Sequence, residues 1–259
     1  VFTPFDLTGK TCLVTGGSRG IGFGMARALA LAGADLMLWS NQPTSLASAA
    51  DALADTGRRI LTRLVDVSDE EQIVAGMAHF RTSFARLDGV IAAAGIAPAD
   101  SRFRTAETRP HREVCAVNLD GGFWTFRECC RLFEEQARAG AGGGSIVGIG
   151  SLAGRFAAPS IESYAASKLA IEGLIRSIAV EMAKFGVRAN AVVPGWIATD
   201  MSRRYRQRPE INDEIVRRIP ARRWGTPDDL GGIAVYLMSD ASAYHSGDSL
   251  VVDGGYSVY

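Results

Sequence analysis

"KTCLVTGGSRGIG", residues 10–22, holds a strand, a turn and the start of a helix in one short stretch. Residues 10–15 are a β-branched, apolar run of strand type. Gly16, Gly20 and Gly22 then let the backbone turn tightly and approach a diphosphate, whose charge the N-terminus of the following helix favours. That helix is expected to run to about Ala32. The spacing is Gly-x3-Gly-x-Gly rather than Gly-x-Gly-x-x-Gly, and the Gly-Lys-Ser/Thr ending of a nucleoside-triphosphate loop is missing. Glycine turns also serve packing, but position favours a ligand here: between the first strand and first helix of an alternating series, a dinucleotide site is expected.

The alternation continues along the chain. Strands are expected at 34–40, 59–67, 87–95, 145–151, over "VRANAVVPG" and in the closing "SLVVDGG". Helices are expected between them: one stopped by Gly57, one capped by Ser68, and a long one from near Thr108 to Arg138 that contains Asn118. Strands alternating with helices mean parallel βαβ units. The expected fold class is therefore α/β, a Rossmann-type doubly wound parallel sheet of about seven strands with helices on both faces. The loop "AGAGGG" (139–144) is too short to link domains, so residues 1–259 are expected to form a single domain.

Composition narrows the class of partner. The chain is 47% apolar and 22% charged, with 28 basic and 28 acidic residues for a net charge of +0. No global field draws it to nucleic acid or to an anionic membrane. Its longest apolar stretches fall far short of a membrane span, and "VFTPFDLTGK" lacks the basic-then-apolar pattern of a leader. Cys12, Cys115, Cys129 and Cys130 form no C-x-x-C pair, and His79, His111 and His245 are scattered, so no metal site is expected. Reduced thiols in a cytoplasmic protein are the expectation.

After the second strand an Asp or Glu would bind the adenosine ribose of NAD. The chain has Ser40 and Asn41 there, so no carboxylate repels a 2′-phosphate, and Arg19 can offer one charge-assisted hydrogen bonds. NADP(H) is favoured over NAD(H). Ser151 ends the fifth strand, at the edge where doubly wound sheets bind ligands. "YAASK" (164–168) follows, with Tyr164 and Lys168 one helical turn apart on a shared face.

The glycine turn, the strand-end serine and the Tyr–Lys pair resemble the short-chain dehydrogenase/reductase family in its common single-domain form. The resemblance spans essentially the whole chain, through "TGGSRGIG", Asp66 in "VDVSD", "AAAG", Asn118 in "VNLDG", Ser151, "YAASK", "PGWIATDM", "RRWGTPDDL" and "SGDSLVVDGG". It implies a catalytic tetrad of Asn118, Ser151, Tyr164 and Lys168. It also implies cofactor contacts from Gly16, Ser18, Arg19, Gly20, Ile21, Gly22, Ser40, Asn41, Asp66, Val67, Ala94, Gly95, Tyr164, Lys168, Pro194, Gly195, Ile197 and Thr199. Of these, Asp66 would meet the adenine, and Ile197 and Thr199 the nicotinamide amide. Tyr164 would exchange the proton, Lys168 would hold the nicotinamide ribose, Ser151 would bind the substrate oxygen, and Asn118 would bind a proton-relaying water.

Acid–base work near neutrality asks a tyrosine to drop by about three units from its usual value near 10, roughly 4 kcal/mol. Lys168, about 5 Å away at an effective dielectric near 20, would supply on the order of 3 kcal/mol. One departure stands out. Ala93 occupies the place where the family usually carries an asparagine that braces the central strands.

Residues 200–220, "DMSRRYRQRPEINDEIVRRIP", fall at the family's substrate loop. Arg203, Arg204, Arg206 and Arg208 would attract an anion, or else sit on a solvated lid beside Asp213 and Glu214. A pocket of Ser151, Phe156, Ala157, Ile161, Tyr164 and Trp196 suggests a small-molecule carbonyl flanked by hydrocarbon. The expected activity is NADPH-dependent reduction of a ketone, reversible as alcohol oxidation. Alternatives are a 3-oxoacyl-carrier-protein reductase and a non-catalytic dinucleotide sensor. The resemblance also implies a homotetramer, or a dimer.

Overall fold

A computed structural model describes residues 3–97, 102–156 and 158–259. Its centre is a seven-stranded, all-parallel sheet in the order β3-β2-β1-β4-β5-β6-β7. The strands are β1 (Thr11–Thr15), β2 (Asp35–Ser40), β3 (Ile60–Leu64), β4 (Gly89–Ala92), β5 (Gly144–Ile149), β6 (Val187–Pro194) and β7 (Ser249–Val252). The expected doubly wound fold is the one found. The order reverses between β1 and β4, so a crevice opens there past the carboxyl ends of the strands.

Helices cover both faces, and the β-strand period of two assigns each side chain to one of them. In β1, Leu13 points into a core with Phe80 of α3 (Glu70–Ser83) and Phe126 and Phe133 of α5 (Gly121–Arg138). That core also takes Ile171 and Ile175 of α6 (Glu162–Met182). Cys12 and Val14 point the other way, against Met25 and Leu29 of α1 (Gly20–Leu31), Leu46 of α2 (Pro43–Leu53) and Leu237 of α9 (Gly231–Met238). The remaining helices are α4 (Thr108–Cys115), α7 (Arg203–Arg206) and α8 (Pro209–Arg218), the last two in the expected substrate loop.

Three local expectations are corrected. α3 is capped by Asp69, whose side chain accepts from the Glu71 and Gln72 N–H groups, not by Ser68. The Ser68 hydroxyl instead donates to Asp66 Oδ1 at 2.7 Å. That Asx turn also ends β3 three residues before the expected limit, because the chain after Val65 peels away to make it. The helix over 108–138 is not uniform: residues Ala116–Asp120 form a π-helical turn between α4 and α5, with Asn118 in it. Single π turns of this kind mark functional positions. Among the described residues no helix is long and apolar enough to cross a membrane, and no His/Cys/Asp/Glu cluster could hold a metal ion.

Candidate active site

The glycine turn has no slack. Gly16 has φ 63°, and a Cβ there would lie 2.8 Å from the backbone of Ala94. A Cβ on Gly22 would lie 2.3 Å from the Gly16 carbonyl oxygen. The turn therefore presses β1 against β4 and brings the start of α1 to the crevice. Arg19 is the N-cap of α1 in extended geometry and makes no side-chain cap, and the first turn holds no acidic residue. Its orphan N–H groups and dipole suit a phosphate. Thr15 supplies the brace that Ala93 lacks: its carbonyl accepts from the Ala93 N–H at 3.2 Å and its hydroxyl from the Ala94 N–H at 3.3 Å.

At the end of β2, the buried Ser18 and Ser40 hydroxyls meet at 2.9 Å, and Ser45 donates to Ser18 at 3.1 Å. Asn41 donates to Asp66 Oδ2 at 3.4 Å. The Ser68 bond is the main influence holding the Asp66 carboxyl below its usual range. α2 begins here with Pro43 in its first turn and no acidic residue. Arg19 lies 3.6 Å from Asp200, both side chains more than half exposed. Gly195, after the buried Pro194, packs so tightly on Asp253 that a Cβ would lie 2.6 Å away. Ile197 is buried and paired with Gly225 in an isolated parallel bridge. Thr199 does not cap α7; its methyl leans toward Gly20, 3.5 Å from where a Cβ would be.

The four residues expected to form the tetrad come from three elements: the end of β5, the π turn and α6. Ser151 follows β5 and accepts from the Ala153 N–H at 3.1 Å, opening the 3₁₀ turn Leu152–Gly154. Tyr164 and Lys168 lie on α6, with Lys168 Nζ 5.8 Å from the Tyr164 ring centre. Lys168 is 4% exposed and donates to the Ile149 carbonyl at 3.0 Å. Gly95 joins the set, since a Cβ there would sit 3.2 Å from Lys168 Nζ and 3.3 Å from Asn118 Oδ1. A cavity of about 10 Å³, bordered by Thr15, Asn118, Ile149 and Lys168, has room for about one water.

Asn118 is 2% exposed and already well bonded. Its Oδ1 accepts from the Ile96 N–H at 2.8 Å, and its amide donates to the Ile96 carbonyl at 2.9 Å and to Ser167 Oγ at 3.1 Å. It thus ties the strand-end loop of β4 to α6. Asn118→Ala is expected to cost about 2 kcal/mol by stranding both Ile96 groups, which lowers the melting temperature by about 4–8 °C. Differential scanning calorimetry checks this; an unchanged melting temperature would mean the amide braces nothing.

The electrostatics differ from expectation. Burial dominates at Tyr164 and raises its pKa, while the Ser151 hydroxyl pulls it down and Tyr205 raises it further. The lowering expected from Lys168 is not what the protein alone provides. Burial depresses Lys168 to about 8 from 10.5. Below about pH 8 the lysine is protonated in both folded and unfolded chains, and its burial cost is fully present. Between about 8 and 10.5 the unfolded chain still holds a proton that the folded chain has released, so stability rises with pH. In urea unfolding from about pH 7 to pH 10, the wild-type protein should gain on Lys168→Met by at most about 1.4 kcal/mol per pH unit. A gap that stays constant would place the lysine in a solvated setting.

A family model described as enoyl-(acyl carrier protein) reductase matches residues 16–257. The chain belongs to the short-chain dehydrogenase/reductase family. A similar protein is the galactitol 2-dehydrogenase (L-tagatose-forming) of Cereibacter sphaeroides, 38% identical, with 99% of this chain and 98% of that one covered. A 3-oxoacyl-[acyl-carrier-protein] reductase of Chlamydia muridarum is 33% identical, covering 96% and 98%. The structure of a gluconate 5-dehydrogenase from Burkholderia cenocepacia J2315 in complex with NADP and tartrate has a TM-score of 0.92 at 32% identity, covering 99% and 98%. This short-chain dehydrogenase/reductase is an NAD(P)-dependent oxidoreductase acting on CH–OH groups, interconverting secondary alcohols and ketones.

The expected pocket residues Phe156, Ile161 and Trp196 are partly exposed beside the tetrad segments, and Ala157 lies outside the described residues. Three wall residues were not anticipated: Tyr205, Trp224 and Tyr256, which pack around Trp196. The only sequence signal was their aromatic character. Of the lid arginines, Arg203 pairs with Asp200, Arg206 donates to the Thr199 carbonyl at 2.8 Å, and Arg204 donates to the Tyr205 hydroxyl at 2.7 Å.

Proposed function

We propose that this enzyme reduces a ketone with NADPH, reversibly, within one catalytic domain, and that Tyr164 is its general acid/base. The observation that carries the reading is the convergence of Ser151, Tyr164, Lys168 and Asn118 beside the glycine turn, at the crevice past the strand ends. When bound, the nicotinamide supplies the hydride. The chain's residues do the rest. Ser151 donates a hydrogen bond to the substrate oxygen and stabilises charge growing there. Burial keeps Tyr164 a neutral phenol, ready to give its proton to that oxygen. Lys168 stabilises the phenolate left behind and holds the nicotinamide ribose. The small cavity beside Asn118 and Lys168 supports a one-water route by which the proton is replaced.

The binding cradle fits the dinucleotide. α1 offers uncapped N–H groups for the diphosphate, and Asp66 and Val67 border the adenine side. Around the 2′-position three features favour NADP(H): the hydroxyls of Ser18, Ser40 and Ser45, the acid-free start of α2, and Arg19. The exposed Arg19–Asp200 pair is worth little and can exchange for a phosphate. kcat/KM with NADPH is expected to exceed that with NADH at least tenfold, and Ser40→Asp to reverse the order by placing a carboxylate against the 2′-phosphate. Equal use of both cofactors by the wild-type enzyme would overturn the preference.

Of the lid arginines that the 3-oxoacyl-carrier reading would draw on, Arg206 is engaged with the Thr199 carbonyl, whereas Arg203 makes only an exposed pair with Asp200. We also propose a cytoplasmic homotetramer, supported by the exposed Phe123, Leu169 and Val180 on α5 and α6 and by the open edge of β7. Light scattering after gel filtration tests it, and a monomer would refute it.

A further inference from the structure

We infer, on the basis of the carbonyl-reductase reading, that the substrate is a ketone flanked by an apolar ring, a cyclic or aryl ketone, rather than an open-chain polyol or sugar acid. The geometry behind this is an aromatic wall gathered from five segments. Trp196, just past β6, meets Tyr205 of α7 at 5.5 Å between ring centres and Trp224 at 5.4 Å, both at 78°. It meets Tyr256 near the C-terminus at 6.4 Å and 72°. Phe156, five residues after Ser151, meets Tyr256 edge-on at 6.3 Å.

None of these five rings is fully buried: Phe156 is 40% exposed and the other four are partly exposed. The wall borders the reacting groups. Phe156 shares the post-β5 segment with Ser151, and the Tyr205 hydroxyl is near enough to influence Tyr164. Two of the wall's polar atoms are already engaged: Trp224 Nε1 donates to Asn212 at 2.8 Å, and the Tyr205 hydroxyl accepts from Arg204.

The wall is also held in place before any substrate arrives. Asp253 accepts from the Gly255 N–H at 2.8 Å and the Ser257 N–H at 2.7 Å, which fixes the C-terminal turn that carries Tyr256. The Arg218 guanidinium lies 4.7 Å from the centre of the Tyr256 ring. Such rings favour a flat apolar flank through burial and aromatic contact. A polyol would lose water from several hydroxyls against them, and each would need a replacement partner that a ring does not offer.

The test compares kcat/KM with NADPH for 1-tetralone and a substituted cyclohexanone against L-tagatose and 5-ketogluconate. The cyclic and aryl ketones are expected to win by at least 100-fold. Trp196→Ala and, separately, Tyr256→Ala should each raise KM for 1-tetralone about tenfold, equivalent to about 1.4 kcal/mol, with kcat changed much less. Tyr256→Ala, at the end of the chain, keeps the test available should Trp196→Ala fail to fold. Preference for the sugar ketones would overturn this inference and leave the reductase standing. Unchanged KM in both variants would likewise overturn it. No turnover of either class, with NADPH shown to bind, would instead overturn the reductase reading.

Discussion

Tyr164→Phe is expected to lower kcat for ketone reduction by at least about 10³-fold, within the range for loss of a positioned general acid. The dissociation constant for NADPH should change by less than about threefold, because the ring stays and only the hydroxyl is removed. The hydroxyl is expected to carry the proton for three physical reasons. It is held neutral by burial. It lies within hydrogen-bonding influence of Ser151, the residue proposed to meet the same substrate oxygen. Lys168, 5.8 Å from the ring, is positioned to offset the charge when the proton leaves. Single-turnover kinetics with preformed enzyme–NADPH isolate the chemical step from product release. Turnover within about threefold of wild type would remove Tyr164 from the mechanism.

Gly22→Ala should act on the other half of the site. Its Cβ would lie 2.3 Å from the Gly16 oxygen and 3.2 Å from the Ala93 side chain. The Gly16 segment is itself closely packed, since a Cβ there would lie 2.8 Å from the Ala94 backbone. The turn must therefore deform at the place proposed to cradle the diphosphate. NADPH affinity is expected to fall at least about 100-fold, about 2.7 kcal/mol, with the tetrad untouched. Gly232→Ala serves as the control. That glycine is also helical, a Cβ there meets nothing within 4 Å, and cofactor binding should be unchanged. Isothermal titration with NADPH distinguishes the two, and equal affinities would mean the turn does not hold the cofactor.

Local patterns made most of this fold legible. The run from Thr11 to Thr15, the glycine turn and α1 are contiguous, and each carries its own periodic or steric signature. Tyr164 and Lys168 were readable because helix geometry puts residues four apart on one face. Where two residues could satisfy the same rule, the sequence was ambiguous: Ser68 and Asp69 are both good caps, and a local Asx turn gives Ser68 to Asp66. The π turn at Asn118 leaves no trace in apolar spacing, since it inserts within a continuous helix. The Tyr164 environment was misjudged because a lysine one turn away is visible in the sequence and the extent of burial is not. The aromatic wall was least legible. Phe156, Trp196, Tyr205, Trp224 and Tyr256 lie on separate segments with no shared periodicity, and only the fold brings them together.

The most direct measurement follows NADPH absorbance while titrating a cyclic ketone, with the alcohol product quantified in the same samples. The proposed mechanism predicts ketone-dependent loss of NADPH matched one-to-one by a secondary alcohol. NADPH that binds to the enzyme yet is not consumed with any ketone, cyclic, aryl or sugar-derived, would contradict it.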